Sequence, residues 1–370
     1  MDFLLNIGHT LLSFFIVISV IVFVHEFGHY IVAKWCGVKI SAFSIGFGKE
    51  IFGWTDRSGT RWKLSLLPLG GYVKMYGDAS EASTADMSAL DNMTDEEKKL
   101  TFHHKPLSKK AAIVAAGPIA NFLLTITVFT YFIMTSGLPS IDPVVGKVMP
   151  ASAAEEAGLK PGDRITQIND EKVKSFNDIP YLISTNLGTP VVLHVLRGEE
   201  NFTITLVPKQ TEDDDGLGNK VKRPMIGIRS ADIKYEDVGP VTALAESIRR
   251  TYMICETTLH VIGQIVTGQR GAHDLKGPVG IAQLSGQAAE KDFHTVLWLI
   301  AMLSANLGLV NLLPIPLLDG GHLAYYAAEA VRGRPLAEKV QEWGFKIGFA
   351  ILATLMAFTF FNDIRRLIFA

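Results

Sequence analysis

Two histidines flank a glutamate in the string His25-Glu26-Phe27-Gly28-His29. Residues four apart on a helix share a face, so both imidazoles can reach one metal ion. The glutamate beside the first histidine is then placed to move protons at a water held by that ion. The setting sharpens the reading. Nothing from Phe3 to Val24 is charged, and only His9 is ionisable there. An ionised group at the centre of a bilayer costs about 2.5–3.5 kcal/mol on insertion scales, so a titratable residue at that depth is a functional candidate by default. The bland alternative is a surface helix that carries His and Glu at this spacing.

A zinc ion held by two histidines needs a third protein ligand and one position left open. His9 is out of reach, about 24 Å from His25 along the same helix at 1.5 Å per residue. The better candidate is Asp319, in Asn311-Leu312-Leu313-Pro314-Ile315-Pro316-Leu317-Leu318-Asp319-Gly320-Gly321. A carboxylate directly after such an apolar run is costly unless paired or coordinated. The two prolines break helical hydrogen bonding and turn the chain there. Asp-Gly-Gly reads equally well as a helix cap or turn, and His322 is a weaker rival ligand.

The elements that must position these residues are mostly apolar helices. Of the 370 residues 48% are hydrophobic and 19% charged, too apolar for most soluble proteins and too charged for a bare bundle of spans. A net charge of −2 gives no case for nucleic-acid binding. Cys36 and Cys255 sit in no Cys-x-x-Cys motif, which speaks against a disulfide framework or zinc knuckle. The N-terminus opens on Asp2 rather than a basic stretch, and no signal-peptide cleavage site follows the apolar run. About four transmembrane helices are expected: Phe3 to Val24 continuing through the motif, Ala111 to Met134, Val296 to about Leu313, and Phe345 to Phe361 as the shortest. Lys and Arg crowd the loops between the first and second spans and between the third and fourth. The positive-inside rule therefore places both loops in the cytoplasm, with both termini and the Gly137–Asp292 region on the other side.

Within that region, Val144–Val148 reads as a strand, followed by Ser152 to Gly158 as a short capped helix and Pro161-Gly162-Asp163 as a turn. Strands are expected at Ile165–Ile168, Val191–Leu196 and Phe202–Val207, with a helix near Phe176–Ile183. Glu212-Asp213-Asp214-Asp215 is expected as a solvated loop. The whole resembles a bacterial-type PDZ domain, a module that adds an extended peptide to a sheet edge; a spacer of small α/β type is the alternative. Val241 to Val266 reads as an amphipathic helix or pair rather than a span. The expected organisation is a first membrane part over 1–136, the PDZ-like domain over 140–232, an amphipathic region over 233–292 and a second membrane part over 293–370.

Taken together, the HExxH string in the first span, the Asn311–Asp319 string near the third and the inserted PDZ-like unit resemble the site-2 proteases. The bacterial branch that cuts anti-sigma factors and remnant signal peptides is the nearest in pattern. Gly46-Phe47-Gly48, Gly70-Gly71-Tyr72-Val73-Lys74-Met75, Gly117-Pro118-Ile119-Ala120-Asn121 and Gly277-Pro278-Val279-Gly280-Ile281 extend the resemblance over nearly the whole chain. It implies a multi-pass α-helical membrane protein with a membrane-associated β-hairpin region and an inserted PDZ-like domain, sited in a bacterial inner membrane. It implies one zinc per chain on His25, His29 and Asp319, with Glu26 as acid/base. Membrane proteins with a single transmembrane helix are the implied substrates, with a peptide segment at the PDZ-like domain. Ser44–Gly48 and Gly70–Met75, around a hairpin expected at Arg61–Leu67, resemble the family's substrate-receiving β-loop, so Gly70, Gly71 and Tyr72 are candidate substrate contacts. Asn311 and Asn121 are further candidates, although Asn121 could simply join two spans. One departure is the single PDZ-like unit, where well-known members have two. Two readings from other classes stand beside this one. A zinc transporter or sensor leaves Glu26 without a role, and a silent peptide-binding scaffold has no need of an intact HExxH.

Overall fold

The computed structural model describes residues 2–78, 92–140, 142–184, 186, 189–214, 220–230, 234–268, 275–334 and 336–369. Two compact units emerge, Met1–Val128 with His273–Ala370, and Phe129–Ala272.

The first unit begins with helix α1 (Asp2–Trp35), about 51 Å long at 1.5 Å per residue. Val17 and Ile21 are buried in a cluster with Ile300, while Leu12, Ile16 and Phe27 are exposed. Strands β1 (Ile40–Thr55) and β2 (Arg61–Met75) follow. Residues 42–45 are paired on both sides, Phe43 with Val73 and with Trp62, so the two strands fold into four legs ordered 71–75, 40–45, 61–65, 50–55. The reversal falls at Gly46, whose φ of +89° suits glycine and whose added Cβ would lie 2.8 Å from the Leu67 carbonyl. The hairpin turn is at Asp56–Thr60, where the Asp56 carboxylate accepts from the amides of Ser58 and Thr60 and from the Trp62 indole. Arg61–Leu67, expected as the hairpin itself, lies in the second strand beyond the turn. Ile51, Phe52, Trp54, Leu66 and Leu67 leave an apolar surface uncovered. A single helical turn, α2 (Asp95–Lys98), carries a Thr94/Glu97 capping box. It leads to α3 (Leu107–Ser136), which continues through Pro118.

In the second unit β3 (Leu138–Ser140) comes first, then β4 (Val145–Val148), α4 (Ala153–Glu156), β5 (Arg164–Ile168), β6 (Glu171–Lys172), α5 (Asp178–Ser184), β7 (Val191–Arg197) and β8 (Glu200–Leu206). Of these, β4, α4, β5, α5, β7 and β8 match the expected pattern, with Ser152 capping α4, while β3 and β6 were not expected. The remaining strands are β9 (Lys209–Asp214), β10 (Lys220–Met225), β11 (Ile228–Ser230) and β12 (Lys234–Glu236). The main sheet is ordered β6-β5-β7-β8, with two-stranded pairs β4–β11, β3–β12 and β9–β10. Its core is aliphatic, and alternate residues Val191, Leu193 and Val195 of β7 point inward. Glu212, Asp213 and Asp214 are thus in a strand, not a loop, because Lys222, Val221 and Lys220 pair with them in register; Asp215 lies outside the described residues. Asp163, with no side-chain exposure, is paired at 2.6 Å with Arg197. Burial alone would raise its carboxyl, but the Arg197 and Lys160 hydrogen bonds hold it below the usual carboxylate range. Helix α6 (Pro240–Val266) is the expected amphipathic helix. Its Arg249 bridges to Asp178 of α5 at 3.2 Å.

The chain returns to the first unit with α7 (Pro278–Lys291), α8 (Phe293–Leu312), α9 (Asp319–Arg332) and α10 (Glu338–Phe369). The buried carboxylate of Asp363, from α10, accepts from the amides of Gly277 and Gly280 and so caps α7 from another helix. Among the described residues four helices are long and apolar enough to cross a membrane, over Ile7–Trp35, Leu107–Ser136, Phe293–Leu312 and Lys339–Arg366. The fourth is longer than its apolar stretch, because charged turns extend it at both ends. Phe345, Phe349, Ile351 and Phe361 along it are exposed, a surface suited to lipid and not to water.

Candidate metal centre

Helix α1 presents His25 and His29 on one face, and Gly28 between them lets α3 approach. A Cβ on Gly28 would lie 2.3 Å from the Ala116 carbonyl oxygen, and one on Gly117 would lie 2.3 Å from His29 Nε2. These two glycines form the contact. His29 Nδ1 lies 2.9 Å from the Ile113 carbonyl oxygen. A carbonyl only accepts, so Nδ1 carries the hydrogen, and in the neutral ring the Nε2 lone pair is free.

Asp319 arrives from far along the chain. After α8 stops at Leu312, the Pro314–Pro316 segment turns, and Leu317 takes a φ of +91°. That left-handed conformation is strained for a residue with a side chain, of order 1–3 kcal/mol. Gly320 and Gly321 let α9 start against the turn, since a Cβ on them would lie 2.3 Å from the Leu312 oxygen and 2.4 Å from the Ile315 oxygen. Asp319 is the first residue of α9, and its carboxylate faces the imidazoles rather than capping the helix.

Three ligand atoms then form a nearly equilateral triangle. His25 Nε2 and His29 Nε2 are 3.3 Å apart, and Asp319 Oδ2 is 3.3 Å and 3.5 Å from them. Ligand atoms 2.0–2.2 Å from a tetrahedral ion are separated by about 3.3–3.6 Å, so the triangle has the edge length of a zinc site. Asp319 Oδ2 is buried and makes no hydrogen bond. A proton could serve one edge of this triangle at a time, whereas a divalent cation serves all three. Among the described residues no other group of three or more His, Cys, Asp or Glu side chains has this arrangement, and His322 is outside it.

The remaining expected residues fall at different distances from the triangle. Glu26 is not a member; its Cγ would lie 2.9 Å from a Cβ on Gly71, so the glutamate stands against the edge leg 71–75. Asn311 Nδ2 lies 3.4 Å from His25 Nε2, and Asn121 Nδ2 lies 3.1 Å from His25 Nδ1. Gly70 packs against the Phe47 ring, and Tyr72 is buried, stacked on Phe47 and bonded through its hydroxyl to Lys63. Of the three hairpin candidates only Gly71 is brought to the centre.

A cation held at this triangle would have a glutamate beside it among apolar helices, and that combination defines a class, the metallopeptidases of membranes. The chain belongs to peptidase family M50, whose model matches residues 13–355. A protein of Agrobacterium fabrum that bears the name of a zinc metalloprotease is 47% identical over 97% of this chain and 96% of its own. Metalloprotease MmpA of Caulobacter vibrioides is 36% identical over 96% of this chain and 95% of its own. Among solved structures, the PDZ domain of an SdrC-like protein of Listeria innocua aligns over 26% of this chain and all of its own, at 28% identity and a TM-score of 0.21. The protein is a membrane zinc metalloprotease of the site-2 type, with Zn2+ as its cofactor and proteins as its substrates.

Proposed function

We propose that this enzyme hydrolyses peptide bonds within transmembrane segments of single-span membrane proteins, of the anti-sigma-factor or remnant-signal-peptide kind. The observation that carries the reading is the ligand triangle of His25, His29 and Asp319, two of whose corners, His25 and His29, lie on a helix that is itself long and apolar enough to span a bilayer. These three residues hold the ion, one per chain. When bound, zinc polarises a carbonyl oxygen and lowers the pKa of a water to about 7. Glu26 takes the proton from the attacking water and delivers it to the leaving amine. A helical substrate hides its carbonyls in its own hydrogen bonds and must be unwound first. The leg 71–75, at an edge of the four-legged sheet and in contact with Glu26 through Gly71, receives the unwound segment as an added strand. Asn311 offers its amide beside His25 to hold the substrate backbone.

In the proposed topology the β1–β2 loop and the loop between α9 and α10 are cytoplasmic. Both termini and the PDZ-like domain, 140–232, are then outside the inner membrane, where that domain selects or positions substrates. The test is Glu26→Gln in full-length protein with a single-span substrate. Zinc content should remain near one per chain while cleavage falls by roughly 10²–10⁴-fold. Near wild-type cleavage with zinc retained would remove Glu26 from the mechanism, and loss of zinc would make it a ligand.

A further inference from the structure

The side chain of Asn121 is fully buried, its nitrogen lies 3.1 Å from His25 Nδ1, and its oxygen has no hydrogen-bond partner. In that orientation the amide donates to Nδ1, which leaves the single hydrogen of a neutral imidazole on Nε2. That hydrogen would then sit between His25 Nε2 and the atoms 3.3 Å away on His29 and Asp319, where a metal donor must present a lone pair. The oxygen and nitrogen of an amide fill nearly the same space, and a half-turn about the Cβ–Cγ bond exchanges them. After the exchange Oδ1 accepts from Nδ1–H, the orphaned buried oxygen has its partner, and Nε2 faces the triangle unprotonated. His29 shows the same arrangement already, with Nδ1 donating to the Ile113 carbonyl.

We infer that Asn121 is a positioning residue for the metal centre. Its side-chain oxygen accepts from His25 Nδ1 and fixes that ring as an Nε2 donor, so the tautomers of both histidine ligands are set by α3. This rests on the reading of His25 as a zinc ligand and gives the Asn121 amide a role other than substrate contact. The residue is held where the role needs it. Its backbone oxygen accepts from the hydroxyl of Ser304 at 3.0 Å, and the Thr125 hydroxyl lies 3.1 Å from that oxygen and 2.9 Å from the Ala301 oxygen. Asn121, Thr125 and Ser304 are all fully buried. A Cβ on Gly308 would lie 3.1 Å from the Pro118 oxygen and 3.3 Å from Asn121 Cβ, so a glycine there lets α8 pack closely against this turn of α3.

The experiment is zinc affinity of the full-length chain in detergent, measured by competition with a chromophoric chelator, beside the thermal midpoint of the metal-free protein. Leucine keeps the branching of asparagine without its oxygen, so Asn121→Leu should bind zinc roughly 10–100-fold more weakly with an unchanged metal-free midpoint. Asn121→Asp offers only acceptors and should stay within about threefold of wild type. Wild-type affinity in Asn121→Leu overturns the inference. So does an equal loss in both variants, or a loss in Asn121→Leu matched by a fall in its metal-free midpoint. His25→Ala separates the two levels of the argument. If it binds zinc as wild type does, the assignment of His25 has failed and this inference with it. If it loses zinc while Asn121→Leu does not, only the role of Asn121 has failed.

Discussion

At the scale of single residues, the centre is set as much by absent side chains as by present ones. Gly117→Ala would push a methyl group to within 2.3 Å of His29 Nε2, and backbone on either side resists the movement needed to relieve it. Zinc affinity should fall by at least the roughly 10–100-fold typical of losing an outer-shell partner. A chelator titration showing wild-type affinity would mean that α3 yields at this point. His25 and His29 were legible in the sequence because the geometry of a pair four residues apart belongs to the helix. Asp319 could only be nominated there, against a cap and against His322, because the turn through Leu317 that aims it is a tertiary outcome. The contact of Asn121 with His25 spans 96 residues and had no local signal.

Elements were read best where one period runs through a segment. The four apolar helices and the strand pattern from Val145 to Leu206 follow from hydropathy and turn residues. The four-legged β1–β2 sheet does not, because chain reversals at glycines break the alternation and pair residues 42–45 twice. The β9–β10 pair was hidden by its acidic run. Two element-level outcomes are expected. The Asp163–Arg197 pair stabilises the second unit fully above the ordinary carboxylate pKa of about 4. The folded carboxyl titrates lower, so that stability is lost as pH falls through the folded value. The difference in urea midpoint between wild type and Asp163→Asn should therefore shrink from pH 7 towards pH 3; a difference that grows would reverse the assignment. In the first unit, Asp363→Ala removes the cap of α7 and should cost about 0.5–2 kcal/mol locally. Hydrogen exchange at Gly277 and Gly280 should speed up accordingly, and unchanged rates would show that the cap contributes nothing.

For the whole molecule, the proposed topology rests on charge bias in the loops, which is a property of sequence and is not displayed by the fold. It is open to direct measurement. In a cysteine-free background, Arg57→Cys in the exposed hairpin turn should resist an impermeant maleimide in intact cells, while Glu199→Cys in the exposed turn before β8 should react. The opposite pattern would invert the molecule in its membrane. The depth of the centre along α1 has a consequence for what the enzyme releases. Glu26 lies about two-thirds of the way along the candidate span Ile7–Trp35, some 14 Å from its C-terminal end at 1.5 Å per residue. In the proposed orientation that is the cytoplasmic end, so a substrate cut at this level is divided unequally. The outer fragment keeps most of its apolar length and stays anchored. The inner fragment carries away about ten residues or fewer of its span, too few to hold it in a bilayer that asks for about 20. Severing one peptide bond then also settles a partition: one fragment remains lipid-bound and the other departs into water, beyond the reach of religation.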